Sequence, residues 1–161
     1  MSEWRRRAAE GLRPGDRFCF SRVFSVGEVL AFGEITRDYN PVHYDEAFAR
    51  LRGFPGRICH GLLAGSMICE IGGQLGWLAT GMDFAFKKPV HPGDVIHCEL
   101  TVDGVDASHF ARAHARLTNQ DGVEVMTVAL QGVLPDPACR ERLSRMMAEG
   151  DPTNPLRDEP R

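Results

Sequence analysis

Apolar residues recur along this chain in two different periods, and the switch between them divides it. Phe18, Phe20 and Phe24 share one parity and predict a strand over residues 17–24, entered through the turn Pro14-Gly15-Asp16. Ser25 and Glu28 then have capping-box spacing. Val26, Val29, Leu30, Phe32 and Ile35 supply the apolar face of a helix that must stop before Pro41. A second short helix is predicted over 45–51 with Asp45 as its cap, followed by a loop carrying Gly53, Pro55 and Gly56. Residues 61–71 are apolar or small on nearly every side, with Glu70 the single charge, so this helix is expected to be surrounded by protein. Gly72 and Gly73 are expected to weaken or end it.

After Trp77 the period becomes two. Phe84 and Phe86 alternate in a first stretch; Ile96, Cys98, Leu100 and Val102 in a second; Ala111, Ala113, Ala115 and Leu117 in a third; Met126, Val128 and Leu130 in a fourth. The turns between them, at 91–94, 103–108 and 119–122, are too short for parallel crossovers. The predicted class is therefore α+β, an antiparallel β-sheet wrapped around a buried central α-helix. Residues 1–14 read as a flexible N-terminal segment and 15–134 as one domain. Residues 135–161 read as a polar, proline-containing tail with little fixed structure beyond a short helix near 140–148.

Composition narrows the partners. A length of 161 residues, 43% of them hydrophobic, fills one core and leaves no room for a second full domain. The net charge of -3 comes with scattered Lys and Arg, which argues against nucleic acid. Arg5, Arg6 and Arg7 are not followed by an apolar stretch that could act as a signal peptide or span a membrane, so a cytoplasmic chain is expected. The five cysteines are odd in number and far apart, as buried reduced thiols are. No CxxC, HxxxH or HExxH spacing supports a zinc site, and no metal is expected.

The segment Arg37-Asp38-Tyr39-Asn40-Pro41-Val42-His43 is the most informative for chemistry. Side chains five apart on a continuous helix diverge by about 140°. Pro41 forbids that continuation and pushes Asn40 out of helical geometry, so Asp38 and His43 can turn toward one point. A carboxylate and an imidazole flanking one water suit addition of water to a double bond. The alternative is that Asp38 and Asn40 are turn formers and His43 a solvated loop residue. A second motif weighs against it. His60-Gly61-Leu62-Leu63-Ala64-Gly65-Ser66 opens the apolar helix, where the Gly61 amide could serve a developing oxyanion, or the glycine could merely permit close packing.

These motifs resemble those of the MaoC-like, R-specific enoyl-CoA hydratase family, which has the hot-dog fold. The resemblance runs from about residue 24 to 134 and includes Phe86-Lys87-Lys88-Pro89-Val90 and Pro92-Gly93-Asp94. It implies that Asp38 and His43 hold the catalytic water, that Asn40 helps fix it, and that the Gly61 amide binds the thioester carbonyl. The implied reaction is reversible syn-hydration of a trans-2-enoyl-CoA to a (3R)-3-hydroxyacyl-CoA, without metal or redox cofactor. The implied assembly is a homodimer or higher homo-oligomer, with acyl-CoA as substrate and acyl carrier protein as an alternative carrier. A hot-dog thioesterase and a non-catalytic acyl-CoA binding subunit are the rival readings.

Some relatives carry a serine on the buried helix where this chain has Cys69, with Ser66 one turn earlier. Lys87 and Lys88 are candidate contacts for coenzyme A phosphates, against the plainer reading of a solvated strand edge. Arg112, His114 and Arg116 form a basic row read as solvent-facing. His60 is either an extra acid or a capping or packing residue, and Glu70 requires a polar partner that the sequence does not name.

Overall fold

The computed structural model describes residues 3–156. Five strands, β1 Arg17–Val23, β2 Leu78–Phe86, β3 Val95–Val105, β4 Phe110–Thr118 and β5 Glu124–Val133, form one antiparallel sheet in the order β1-β3-β4-β5-β2. On the central strand β4, Ala111, Ala113, Ala115 and Leu117 are buried, while Arg112, His114 and Arg116 are exposed. The small alanines leave volume over the sheet that Met67, Ile68, Ile71 and Leu75 help fill within one continuous core. Each such side chain withdrawn from water stabilises the fold by about 1.5–3 kcal/mol.

Those four side chains belong to α5 Met67–Leu75, which follows α4 Gly61–Gly65. The single helix expected over 61–71 is thus two. Ser66 separates them because its backbone N–H (3.1 Å) and its hydroxyl (2.6 Å) both donate to the Leu63 carbonyl, tightening the turn. Gly72 and Gly73 do not end α5, since burial of Ile71 and Leu75 outweighs a penalty of about 1 kcal/mol per glycine. Gly76 ends it in the left-handed region at φ 65, with Trp77 N–H returning to the Gly72 carbonyl at 2.9 Å.

Residues 1–14 are not loose where they are described. The helix α1 Glu3–Glu10 sets Trp4 edge-on to Phe18 and Phe20, with centroids 5.8 and 5.6 Å apart, and buries Ala8 one turn later. Its inward residues, Trp4 and Ala8, are few among charged neighbours, and it is the packing of Trp4 on the strand β1, distant from any local cue, that fixes the segment. The tail differs from expectation for a similar reason. The helix α6 Pro137–Ala148 starts at an Asp136 cap and packs on α1. Beyond it, Asp151 and Asn154 are buried, Asp151 against Arg5 at 2.8 Å and Asn154 in a reciprocal amide pair with Gln74 at 2.9 and 3.0 Å. Residues 157–161 of the predicted tail lie outside the described residues. Among the described residues no helix is long and apolar enough to cross a membrane.

Two further helices lead to the site. The first, α2 Val26–Thr36, begins with the predicted Ser25–Glu28 capping box; the second, α3 Glu46–Leu51, begins with the predicted Asp45 cap. Two hydrogen bonds from Ser25, through its backbone N–H and its hydroxyl, and one from Arg22 hold the Glu28 carboxyl at about 2, the Ser25 backbone hydrogen bond contributing most.

Candidate active site

Thr36 is the last residue of α2 because Arg37 takes a left-handed conformation at φ 58. Pro41 then starts a single 3₁₀ turn, Pro41–His43. The chain therefore turns once just before Asp38 and again at Pro41, and Oδ2 of the half-exposed Asp38 stands 3.9 Å from Nε2 of the buried His43. The convergence predicted from the proline break is present.

The hydrogen bonds fix which atoms face one another. His43 Nδ1 lies 2.8 Å from the Ile58 carbonyl, and a carbonyl only accepts, so Nδ1 carries the ring proton. The Nε2 lone pair is left facing Asp38. Burial, the largest influence, pushes the His43 pKa below its ordinary 6.5; the Ile58 carbonyl, next in size, pulls the other way, His60 adds to the lowering and Asp38 opposes it. Two acceptors 3.9 Å apart cannot bond to each other, but one water at about 2.8 Å from each can donate to both.

Asn40 sits differently from the implied water ligand. Its Oδ1 accepts from Val42 N–H at 3.3 Å, capping the 3₁₀ turn, and its own N–H donates to Asp38 Oδ1 at 3.2 Å. It holds the two flanking residues in place and does not line the cavity between them. Gly61 does line that cavity. It opens α4, and first-turn N–H groups of a helix have no acceptor within the helix.

The cavity has a volume of about 500 Å³, with Phe32, Phe54, Ile58, Leu62, Phe86 and Met126 among its apolar walls. Lys87 and Lys88 also line it. Lys87 is engaged by Glu124, which Arg116 also binds at 2.7 Å, whereas Lys88 has no ion-pair partner among the described residues. The cavity thiol, Cys59, is pushed up to about 12 by burial and stays protonated, so it is no nucleophile.

Other candidates fall outside the site. Cys69 is exposed, the Ser66 hydroxyl donates to the Leu63 carbonyl, and neither lines the cavity. Glu70 meets Arg22 at 3.5 Å, the polar partner that the sequence required. Sequence reasoning undervalued His60, which is buried in the cavity wall with its ring stacked on His43 at 3.8 Å. It also missed Tyr44, whose hydroxyl donates to the Asp38 carbonyl at 2.9 Å. Adjacency to the two motifs was the available signal for both.

Asp38, His43 and His60 each place a potential metal-ligand atom within 4.8 Å of the others, a grouping that sequence spacing conceals. Ring-nitrogen lone pairs lie in the ring plane, and these two rings are stacked at 28°, so the lone pairs do not converge on one ion.

Residues 14–124 match the family model described as "MaoC like domain". The chain is 32% identical to an (R)-specific enoyl-CoA hydratase of Aeromonas caviae over 125 residues, 74% of this chain and 93% of that protein. It is 37% identical to a mitochondrial 3-hydroxyacyl-[acyl-carrier-protein] dehydratase of Arabidopsis thaliana over 87 residues, 53% of this chain and 52% of that one. Among solved structures, the (R)-hydratase from A. caviae involved in PHA biosynthesis superposes with a TM-score of 0.73 at 32% identity, covering 78% of this chain and 99% of that one. With the proline-broken turn, the glycine-headed helix and the five-stranded sheet all in place, the chain belongs to the MaoC-like domain family and has its hot-dog fold.

Proposed function

We propose that this protein catalyses the reversible syn addition of water to a trans-2-enoyl thioester of coenzyme A, giving a (3R)-3-hydroxyacyl-CoA. The observation that carries the reading is the pair of acceptors, Asp38 Oδ2 and His43 Nε2, 3.9 Å apart in the cavity that Gly61 also lines. A water donating to both presents its oxygen lone pair to the β-carbon. As the C–O bond forms, the pair takes one proton from water and returns one to the α-carbon on the same face, so the enzyme ends as it began. The electrons balance without a redox partner.

Charge builds on the thioester oxygen during the attack, and the Gly61 N–H is assigned to stabilise it. Asn40 is assigned to hold the turn, through Val42 N–H and Asp38 Oδ1, and so keeps the pair aligned. Lys88, free of an ion pair among the described residues, is the better of the two lysines for a coenzyme A phosphate. An acyl group on acyl carrier protein presents the same reacting end.

The edge strand β2 leaves Leu78 73% and Phe86 55% exposed, with Leu62 of α4 also open. An unpaired apolar edge of this kind is suited to pairing with its counterpart in a second copy, and a homodimer is the proposed assembly. Light scattering that returns a monomer mass would remove that part of the proposal.

Crotonyl-CoA tests the reaction. Hydration removes the conjugated ultraviolet absorbance and releases no thiol. Thiol released at the rate of substrate loss would identify a thioesterase, and absence of either reaction would identify a binding subunit.

A further inference from the structure

His60 takes no part in the proton transfers above, yet it is 2% exposed and touches both residues that do, Asp38 through its main chain and His43 through its ring. Its Nε2 lies 3.0 Å from the main-chain carbonyl oxygen of Asp38, so Nε2 carries a proton and donates it. The Tyr44 hydroxyl donates to that same oxygen at 2.9 Å. Two donors on one carbonyl fix the peptide from which the Asp38 side chain springs. The other contact is through the ring face. The His60 and His43 imidazoles stack at 3.8 Å and 28°, and Phe32 packs on His60 with centroids 5.3 Å apart.

Plainer roles do not account for this residue. His60 precedes α4, but its side chain makes no capping hydrogen bond to that helix. Its Nδ1 is buried and without a partner among the described residues, which is destabilising. A phenylalanine would fill a similar volume without that penalty. A histidine kept here is explained by the bond that its other nitrogen makes.

We propose that His60 is a positioning residue for the hydration. Its Nε2–H holds the Asp38 main chain while its ring face seats the His43 imidazole, so one side chain sets the separation of the two water-binding atoms. The next residue is Gly61, so the same short segment also places the amide assigned to the thioester oxygen. The inference rests on the hydratase reading and assigns no proton transfer to His60.

The test compares His60→Phe, His60→Gln and Tyr44→Phe with the parent on crotonyl-CoA, with thermal melts to show that each is folded. His60→Phe keeps the stack and loses the donor, so kcat is expected to fall on the order of 30- to 100-fold while KM stays within about twofold. His60→Gln restores a donor near Nε2 and is expected to recover about tenfold of that loss; Tyr44→Phe leaves one donor and loses less. A kcat for His60→Phe within about twofold of the parent, a loss confined to KM, or no recovery with glutamine overturns the inference. Nitrogen-15 spectra of the parent histidines need no substrate: His60 is expected to be protonated at Nε2 and His43 at Nδ1. Protonation of His60 at Nδ1 in place of Nε2 overturns the inference alone, even if the protein turns over no enoyl thioester, a result that would instead sink the hydratase reading.

Discussion

The α-carbon of Gly61 lies so close to the Phe86 ring that a β-carbon on residue 61 would stand 2.6 Å from the ring edge. One turn along, a β-carbon on Gly65 would stand 2.9 Å from Phe84, and the two phenylalanine rings are parallel within 5°. Two glycines thus let two rings of β2 lie directly on α4 beside the cavity. Gly61→Ala is therefore expected to displace Phe86 and the amide together, destabilising the fold by about 1–3 kcal/mol and lowering kcat/KM by about 30-fold or more. Adding Phe86→Leu should return part of both losses. Full activity in Gly61→Ala, measured as enoyl-CoA hydration, would remove Gly61 from the mechanism.

Asp38→Asn and His43→Gln each keep much of the side-chain shape while replacing a group basic enough to take a proton from the water with a neutral amide that cannot. Each is expected to lower kcat by about 10²- to 10⁴-fold with a smaller change in KM, because the lost interaction acts in the transition state. The double variant should fall little further than the worse single one, since the two groups act on one molecule. Independent, multiplying losses in steady-state kinetics would contradict a shared water.

The pH profile follows from the His43 tautomer. Protonation at Nε2 removes the acceptor, so kcat/KM should fall on the acid side, with a midpoint below 6.5 because burial lowers the folded pKa from that value. Stability takes the same sign. The unfolded imidazole binds the proton more tightly, so the contribution of neutral His43 is present above 6.5 and is lost as pH falls through the lower, folded pKa. His43→Gln should lose this component of both curves. An acid limb centred above the ordinary imidazole value would rule out His43 as its source.

The two cavity lysines are expected to separate. Lys88→Ala should raise KM for a coenzyme A thioester by about three- to tenfold while leaving a pantetheine thioester, which lacks the nucleotide, unaffected. Lys87→Ala should have a smaller effect, because Glu124 already engages Lys87. Equal effects on both thioesters would point to packing rather than phosphate contact.

The C-terminal residues are expected to matter for stability and not for chemistry. Asp151→Ala removes the carboxylate from the Arg5 guanidinium and leaves it the Gly73 carbonyl, and Asn154→Ala strands the Gln74 amide, both partners being nearly buried. Each should cost about 2–4 kcal/mol in a denaturant titration. Turnover per folded molecule should be unchanged. A variant that melts like the parent would show these contacts to be dispensable.

Local features of this fold were legible in the string because their causes are local. The Ser25–Glu28 box, the Asp45 cap, the period-two strands and the proline break between Asp38 and His43 all depend on residues within a few positions of each other. Pro41 made it possible for Asp38 and His43 to face one point, and the left-handed turn at Arg37 that also sets their approach was not legible. What the string did not carry was every contact made between polar atoms far apart in sequence. Arg5 finds Asp151 and Gln74 finds Asn154 across 146 and 80 positions, turning an expected loose start and tail into a packed layer. His60 meets the Asp38 carbonyl across 22 positions. Hydrophobic burial leaves a period that sequence reveals, whereas a hydrogen bond depends on the distance and direction between two atoms, and only the assembled tertiary structure sets those.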